Sequence, residues 1–343
     1  MEKKGRKKRK SSPPPDLNPK KKFKKDASPP PEKPTKPPKQ PKAAKAPPEL
    51  EEEQKTTTPE ESKAAPAPQL SSLLSFQKED SNLLPTFSKM ASSLLNNYLL
   101  FINKIPFRLR ELEFYFNSPA HSDTFTHGDE MQKRKGEWYF HRSGKTYKGG
   151  TYKGLDISIG QGSNTVGGIL IRSIRNVETA KIIDGPCLCV DTILSHTEKP
   201  RIVDLVKDAH FRNMVAEEGE GNLLYLKYDE SIPKLSVFSG PRVGLSLKRW
   251  DEEKPKFIGK CYRFYTEADK VKKGKDLAII GLLLQGKTQA ECARILKPTS
   301  ELLKKCVENY NKGKDGTKKP EDFKGNLTKE EYYEMFGVCQ KES

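Results

Sequence analysis

Glu111, Glu113, Tyr115 and His121 stand within eleven residues in the stretch ELEFYFNSPAHSDTF, residues 111–125. On a strand, where side chains alternate, Glu111, Glu113 and Tyr115 share one face and Leu112, Phe114 and Phe116 share the other. The apolar face reads as core. Two carboxylates beside an aromatic ring are either a solvated face or the wall of a pocket. In a pocket, a carboxylate can take a proton from water and the ring can stack on a planar substrate.

Downstream, AHSDTFTHGDE holds His121, Asp123, His127 and Asp129, and His141 follows, so three of the chain's five histidines lie within 21 residues. Imidazole and carboxylate are ordinary metal ligands, which makes these five residues an alternative metal site. The H-x-D-x3-H-x-D spacing fits no single defined metal geometry, and loop Asp and His also cap turns. In KTYKGGTYKG, Lys145, Lys148 and Lys153 interleave with Tyr147, Tyr152 and three glycines. Basic and aromatic residues on a flexible loop suit a nucleic-acid backbone and its bases, or else form a solvated hairpin.

The surrounding stretches show the periodicities of regular elements. FSKMASSLLNNYLLFINK has apolar residues at helical spacing through Leu95, and the helix should stop near Asn96–Asn97. PFRLRELEFYF, GEWYFHRS, LDISIG and GGILIRSIRN read as strands, the last with Arg172 among apolar neighbours. GPCLCVDTIL also reads as a strand after a Gly-Pro turn, with Cys187 and Cys189 as buried thiols of a reducing compartment. KLSVFSGPRVGLSL and KCYRFYTEA add two strands. Residues 275–313 read as three short helices, with Thr288 and Thr299 or Ser300 as caps and an end at a glycine. Their helix–turn–helix spacing, with a basic second helix, suits either DNA contact or a small helical cap. Trp138 and Trp250 read as core. Without regular strand–helix alternation, a doubly wound parallel sheet is disfavoured. The expected class is α+β, a single domain with a curved, mostly antiparallel sheet and flanking helices.

Composition sets the frame. The chain has 343 residues, a formal charge of +17 and 26 prolines. Residues 1–50 hold 17 Lys/Arg against 5 Asp/Glu and 13 of the prolines. Such a segment cannot offset its chain entropy by apolar burial, so residues 1–75 are expected to be a disordered basic tail and linker. Its KKGRKKRK and KKKFKK clusters suit nuclear import, with import machinery as a partner, or merely keep the chain dissolved. No secretory apolar region follows the first cluster, and no run approaches ~18 apolar residues, so no membrane span is expected. The body divides into residues 76–273 and a helical extension, 274–343. No oligomerisation signal stands out, and a monomer is expected.

ELEFY, AHS, GEWYF, GGILIRSI, DGPCLC and PRVGLSLKRWDEEKPKFIGKCYRFYT, in this order, resemble the blocks of the alkyladenine (3-methyladenine) DNA glycosylase family. The resemblance covers about residues 88–268. It implies a hydrolase that extrudes a damaged or modified purine from DNA, or from RNA, and cuts its N-glycosidic bond in base-excision repair. Glu113 would activate the water, Tyr115 would stack on the base, and His121 would line the pocket. Arg172 would help hold the substrate strand. His141 stands where the family has the second tyrosine of the base sandwich, and Tyr147 or Tyr152 would wedge into the duplex. Lys145, Lys148, Lys153 and Arg242 would meet the nucleic-acid backbone. The mechanism needs no cofactor. A non-catalytic nuclear DNA- or RNA-binding protein on the same fold is the alternative.

Overall fold

The computed structural model describes residues 69–216 and 218–342. The basic clusters, with the disorder and import address expected of them, lie outside the described residues. The described residues belong to one compact unit. The expected linker ends earlier than residue 75: Leu70–Leu73 form a short helix, α1, and Leu70 and Leu74 are buried in the core.

Helix α2 (Leu84–Asn97) starts on Pro85 and buries Phe87, Met90, Ala91, Leu94 and Leu95 along one stripe. It passes directly into β1 (Tyr98–Ile102), followed by β2 (Ile105–Ser118) and the two-residue β3 (His121–Ser122). Next come β4 (Lys135–Phe140), the hairpin β5 (Arg142–Ser143) and β6 (Thr146–Tyr147), then β7 (Leu155–Ile159), β8 (Val166–Asn176) and β9 (Ile182–Asp184). Helices α3 (Pro186–His196) and α4 (Ile202–Val206) precede β10 (Leu224–Tyr228) and β11 (Phe238–Gly240). The chain continues through α5 (Lys254–Ile258), β12 (Arg263–Tyr265), α6 (Lys275–Leu284), α7 (Gln289–Leu296), α8 (Ser300–Asp315) and α9 (Lys329–Cys339).

The fold is α+β, and every strand pair among the described residues is antiparallel. The main sheet runs β10-β1-β2-β8-β7-β4, with β3 and β12 also on β2 and β9 on β8. Strand β2 is its hub. Its register places Arg263, Glu113, Leu170, Asp156 and Tyr139 in one row across β12, β2, β8, β7 and β4. Residues directly opposite in antiparallel strands point to one face, so this row puts polar groups from four strands on the same side. The other side carries Leu112, Phe114, Phe116, Ile157, Ile169 and Ile171, which pack in the core with α2. Phe87 stacks on Phe114 at 4.8 Å between ring centroids. Burying one such side chain contributes roughly 1.5–3 kcal/mol.

Two local expectations are corrected. GPCLCVDTIL is not a strand but helix α3. Pro186 is preset for a first helical turn, and Cys189, Val190, Ile193 and Leu194 bury at helical spacing. Cys189 is buried, while Cys187 is partly exposed. Helix α8 does not stop at Gly313. Gly313 lies against the Glu334 carbonyl of α9, and Gly337 against the Tyr310 carbonyl of α8. These glycines let two helix backbones touch where any side chain would hold them apart. The three expected helices, α6 to α8, are present, and Thr288 and Thr299 cap α7 and α8. They share a core with α9 and with Leu247, Ile258 and Tyr265 from the preceding segment. Trp138 is buried, and Trp250 is partly buried beneath Lys324.

Candidate active site

Glu113 lies at the centre of the polar face and is fully buried. Its Oε1 accepts the Val243 backbone N–H at 2.6 Å, and the Arg172 Nε lies 3.3 Å away. Its Oε2 accepts the Tyr115 hydroxyl at 2.9 Å. Val243 and Tyr115 each take one acceptor position, and Arg172, whose Nε–H donates to Glu111, adds its charge beside Oε1. Burial and the neighbouring Glu113 push the Tyr115 phenol well above its usual range, so it donates as a neutral hydroxyl. Tyr115 is partly buried.

Glu111 sits behind, also buried, accepting from Arg172 at 2.7 Å and Arg263 at 2.8 Å. Burial pushes its carboxyl up, but the two guanidinium groups outweigh that and hold it below the usual carboxylate range. Burial alone would lower Arg172, and the carboxylates of Glu113 and Glu111 reverse this. Arg172 is therefore committed to carboxylates inside the protein, and at 6% exposure it does not reach a substrate strand from the surface.

Arg242 corrects the sequence reading. It is fully buried, forms ion-paired hydrogen bonds to Asp123 at 2.5 and 3.2 Å, and lies 4.5 Å over the Tyr115 ring. A guanidinium so enclosed cannot meet a phosphate backbone; it fixes Tyr115 from one side. His121 is likewise buried. Its Nδ1 donates to the Phe116 carbonyl at 2.9 Å, so its Nε2 accepts from the Tyr262 hydroxyl at 2.8 Å. Burial lowers its pKa, in keeping with a neutral ring that braces the β2–β3 turn.

On the same side of the sheet, beyond Leu170, lies a second polar group. The His141 Nε2 donates to Asp156 at 2.8 Å, and Gln132 holds the other Asp156 oxygen at 3.2 Å. His127 Nδ1 lies 2.6 Å from the Tyr139 hydroxyl, and the His127 and His141 rings are 5.8 Å apart. Burial lowers the His127 pKa, and Lys148 lowers it further. Asp129 pairs with Arg142, which outweighs burial and lowers its pKa. The Asp156 carboxylate lies over Gly168, where a Cβ would come within 2.5 Å of its Oδ2.

The expected histidine–aspartate cluster thus divides. His121 and Asp123 are spent on Tyr262 and Arg242, while His127, Asp129 and His141 belong to the second group. Among the described residues, no three His, Cys, Asp or Glu side chains come together as a metal site. On the hairpin side, Tyr147 is partly buried against Phe140, and Tyr152 is 78% exposed. Lys148 lies 3.4 Å from His127, Lys153 pairs with Asp191, and Lys145 is exposed. Tyr139, Asp156, Gln132, Val243 and Arg263 escaped sequence reasoning. Asp156 carried a signal, being the one charged residue inside the apolar strand LDISI. The others became visible only through strand register.

Chemically, the face offers a buried carboxylate next to a phenol, and beyond Leu170 a second group with two imidazoles and a tyrosine. No protein-family model and no solved structure matches this chain. It is similar to an uncharacterized protein of Acanthamoeba polyphaga mimivirus, 37% identical over 175 residues that take in 47% of this chain and 79% of the viral protein. Likeness of that depth over most of the viral chain makes this protein a member of the same family as that mimivirus protein.

Proposed function

We propose that this protein is a DNA N-glycosylase that takes a damaged or modified purine out of the duplex and hydrolyses its glycosidic bond. The observation that carries the reading is Glu113, a buried carboxylate that accepts from the Val243 N–H and the Tyr115 phenol, with the Arg172 guanidinium beside it. Extruding a base costs a few kcal/mol, and stacking on an aromatic ring returns about 1–3 kcal/mol. In this scheme the base stacks on the Tyr115 ring from the side away from Arg242. A water that displaced the Tyr115 hydroxyl would take its place on Glu113 Oε2. The C1′–N bond breaks, its electron pair leaves with the purine, and positive charge builds on the sugar as in glycoside hydrolysis. Glu113 takes a proton from water as its oxygen bonds to C1′. A nuclear location, served by the basic tail, accords with a DNA substrate.

The test is chromatographic detection of free base from short duplexes carrying hypoxanthine, ethenoadenine or 3-methyladenine, against an unmodified duplex. Release from a modified duplex alone supports the reading. Tight, salt-sensitive binding with no release from any of them favours the non-catalytic alternative.

A further inference from the structure

A cavity of about 560 Å3 lies between the β5–β6 hairpin and the α3–α4 segment, away from Glu113. Its hairpin wall carries Lys145, Tyr147 and Lys148, and its other wall carries Leu194, Ile202 and Val203. Lys153 and Arg201 also reach it, but Asp191 and Asp204 pair with them. Among the described residues, Lys145 and Lys148 have no carboxylate partner. Two uncompensated ammonium groups beside a tyrosine and an aliphatic wall are the chemistry of a nucleotide: cations for phosphate, a ring and an apolar surface for the base. Lys148 joins this cavity to the other site, because the same ammonium lies 3.4 Å from His127, which pairs with Tyr139.

We propose that this cavity binds one nucleotide of the nucleic-acid strand next to the extruded one. The inference rests on the glycosylase reading for the identity of the strand and deepens it: the α3–α4 segment becomes part of the nucleic-acid footprint. A neighbouring nucleotide held here fixes the strand's register while its neighbour is out of the stack.

The test uses the full chain carrying Glu113→Gln, so that binding is read without turnover. Fluorescence anisotropy follows a labelled hypoxanthine duplex across a salt series. Val203→Trp fills the cavity without changing charge, and is expected to weaken binding roughly tenfold with the salt slope unchanged. Lys145→Ala with Lys148→Ala is expected to reduce the salt slope by about 2. Lys145 is exposed, so Lys145→Ala alone keeps the proposal testable if Val203→Trp does not fold. Wild-type affinity in Val203→Trp, or an unchanged salt slope in the lysine variants, overturns the proposal. Binding of deoxyadenosine 5′-monophosphate that Val203→Trp abolishes, with duplex binding unaffected, overturns it too, because the cavity then serves a free nucleotide. Cavity variants that weaken binding in a protein whose wild type releases no base uphold the cavity and sink the catalytic reading alone.

Discussion

The Tyr332 hydroxyl donates a 3.1 Å hydrogen bond to the Leu245 carbonyl, two residues from the Val243 N–H that grips Glu113. Helix α9, near the end of the sequence, thereby braces the loop that holds the central carboxylate. Removing this bond with Tyr332→Phe costs about 1 kcal/mol in loop placement. Single-turnover base release is expected to slow about fivefold with duplex affinity unchanged. Equal loss of affinity and rate would mean that Tyr332 supports the fold in general and not this loop.

Gly168→Ala places a methyl group where the Asp156 carboxylate lies. The carboxylate must move, and its bonds to His141 and Gln132 are lost with it. Overpacking of this kind costs about 1–3 kcal/mol. The urea midpoint should fall, and base release should fall with it in samples kept well below that midpoint.

Arg242→Met leaves Asp123 buried without its partner, which costs about 3–5 kcal/mol. Adding Asp123→Asn removes the stranded charge and should recover a large part of the loss in urea unfolding. Failure of the double variant to recover would show that the Arg242 contact on Tyr115 matters more than the ion pair.

His121 is held neutral by burial, with a folded pKa below its unfolded value. The unfolded chain therefore takes up the proton first, and stability that is complete above about pH 6.5 is lost as pH falls toward the folded pKa. Urea midpoints measured from pH 7.5 down to pH 5 should decline, and His121→Gln should flatten the part of the decline nearest pH 6.

Much of this arrangement was legible in the sequence because alternation is a local property. Glu113 and Tyr115 could be placed on one face of β2 from spacing alone, and Leu112, Phe114 and Phe116 on the other. Which strand stands beside β2 is not local. The row from Arg263 to Tyr139 depends on pairings across as many as 150 residues, and no spacing reveals it. Arg242 was misjudged for the same reason: its partner Asp123 is 119 residues away, and an arginine in a turn-rich segment looks exposed until that partner is known. The sequence of α3 suggests a strand because Cys, Val, Ile and Leu suit a strand or a helix equally, and Gly185-Pro186 fits a turn as well as a helix start.

The central claim is tested most directly by single-turnover base release from a hypoxanthine, ethenoadenine or 3-methyladenine duplex, wild type beside Glu113→Gln, with matched thermal melts and matched duplex affinity. The amide that replaces the carboxylate keeps its shape and can still accept from Val243, but it cannot take a proton from water. Wild-type release is expected to fall by at least about 100-fold in the variant while binding persists. Release at the wild-type rate in Glu113→Gln would contradict it.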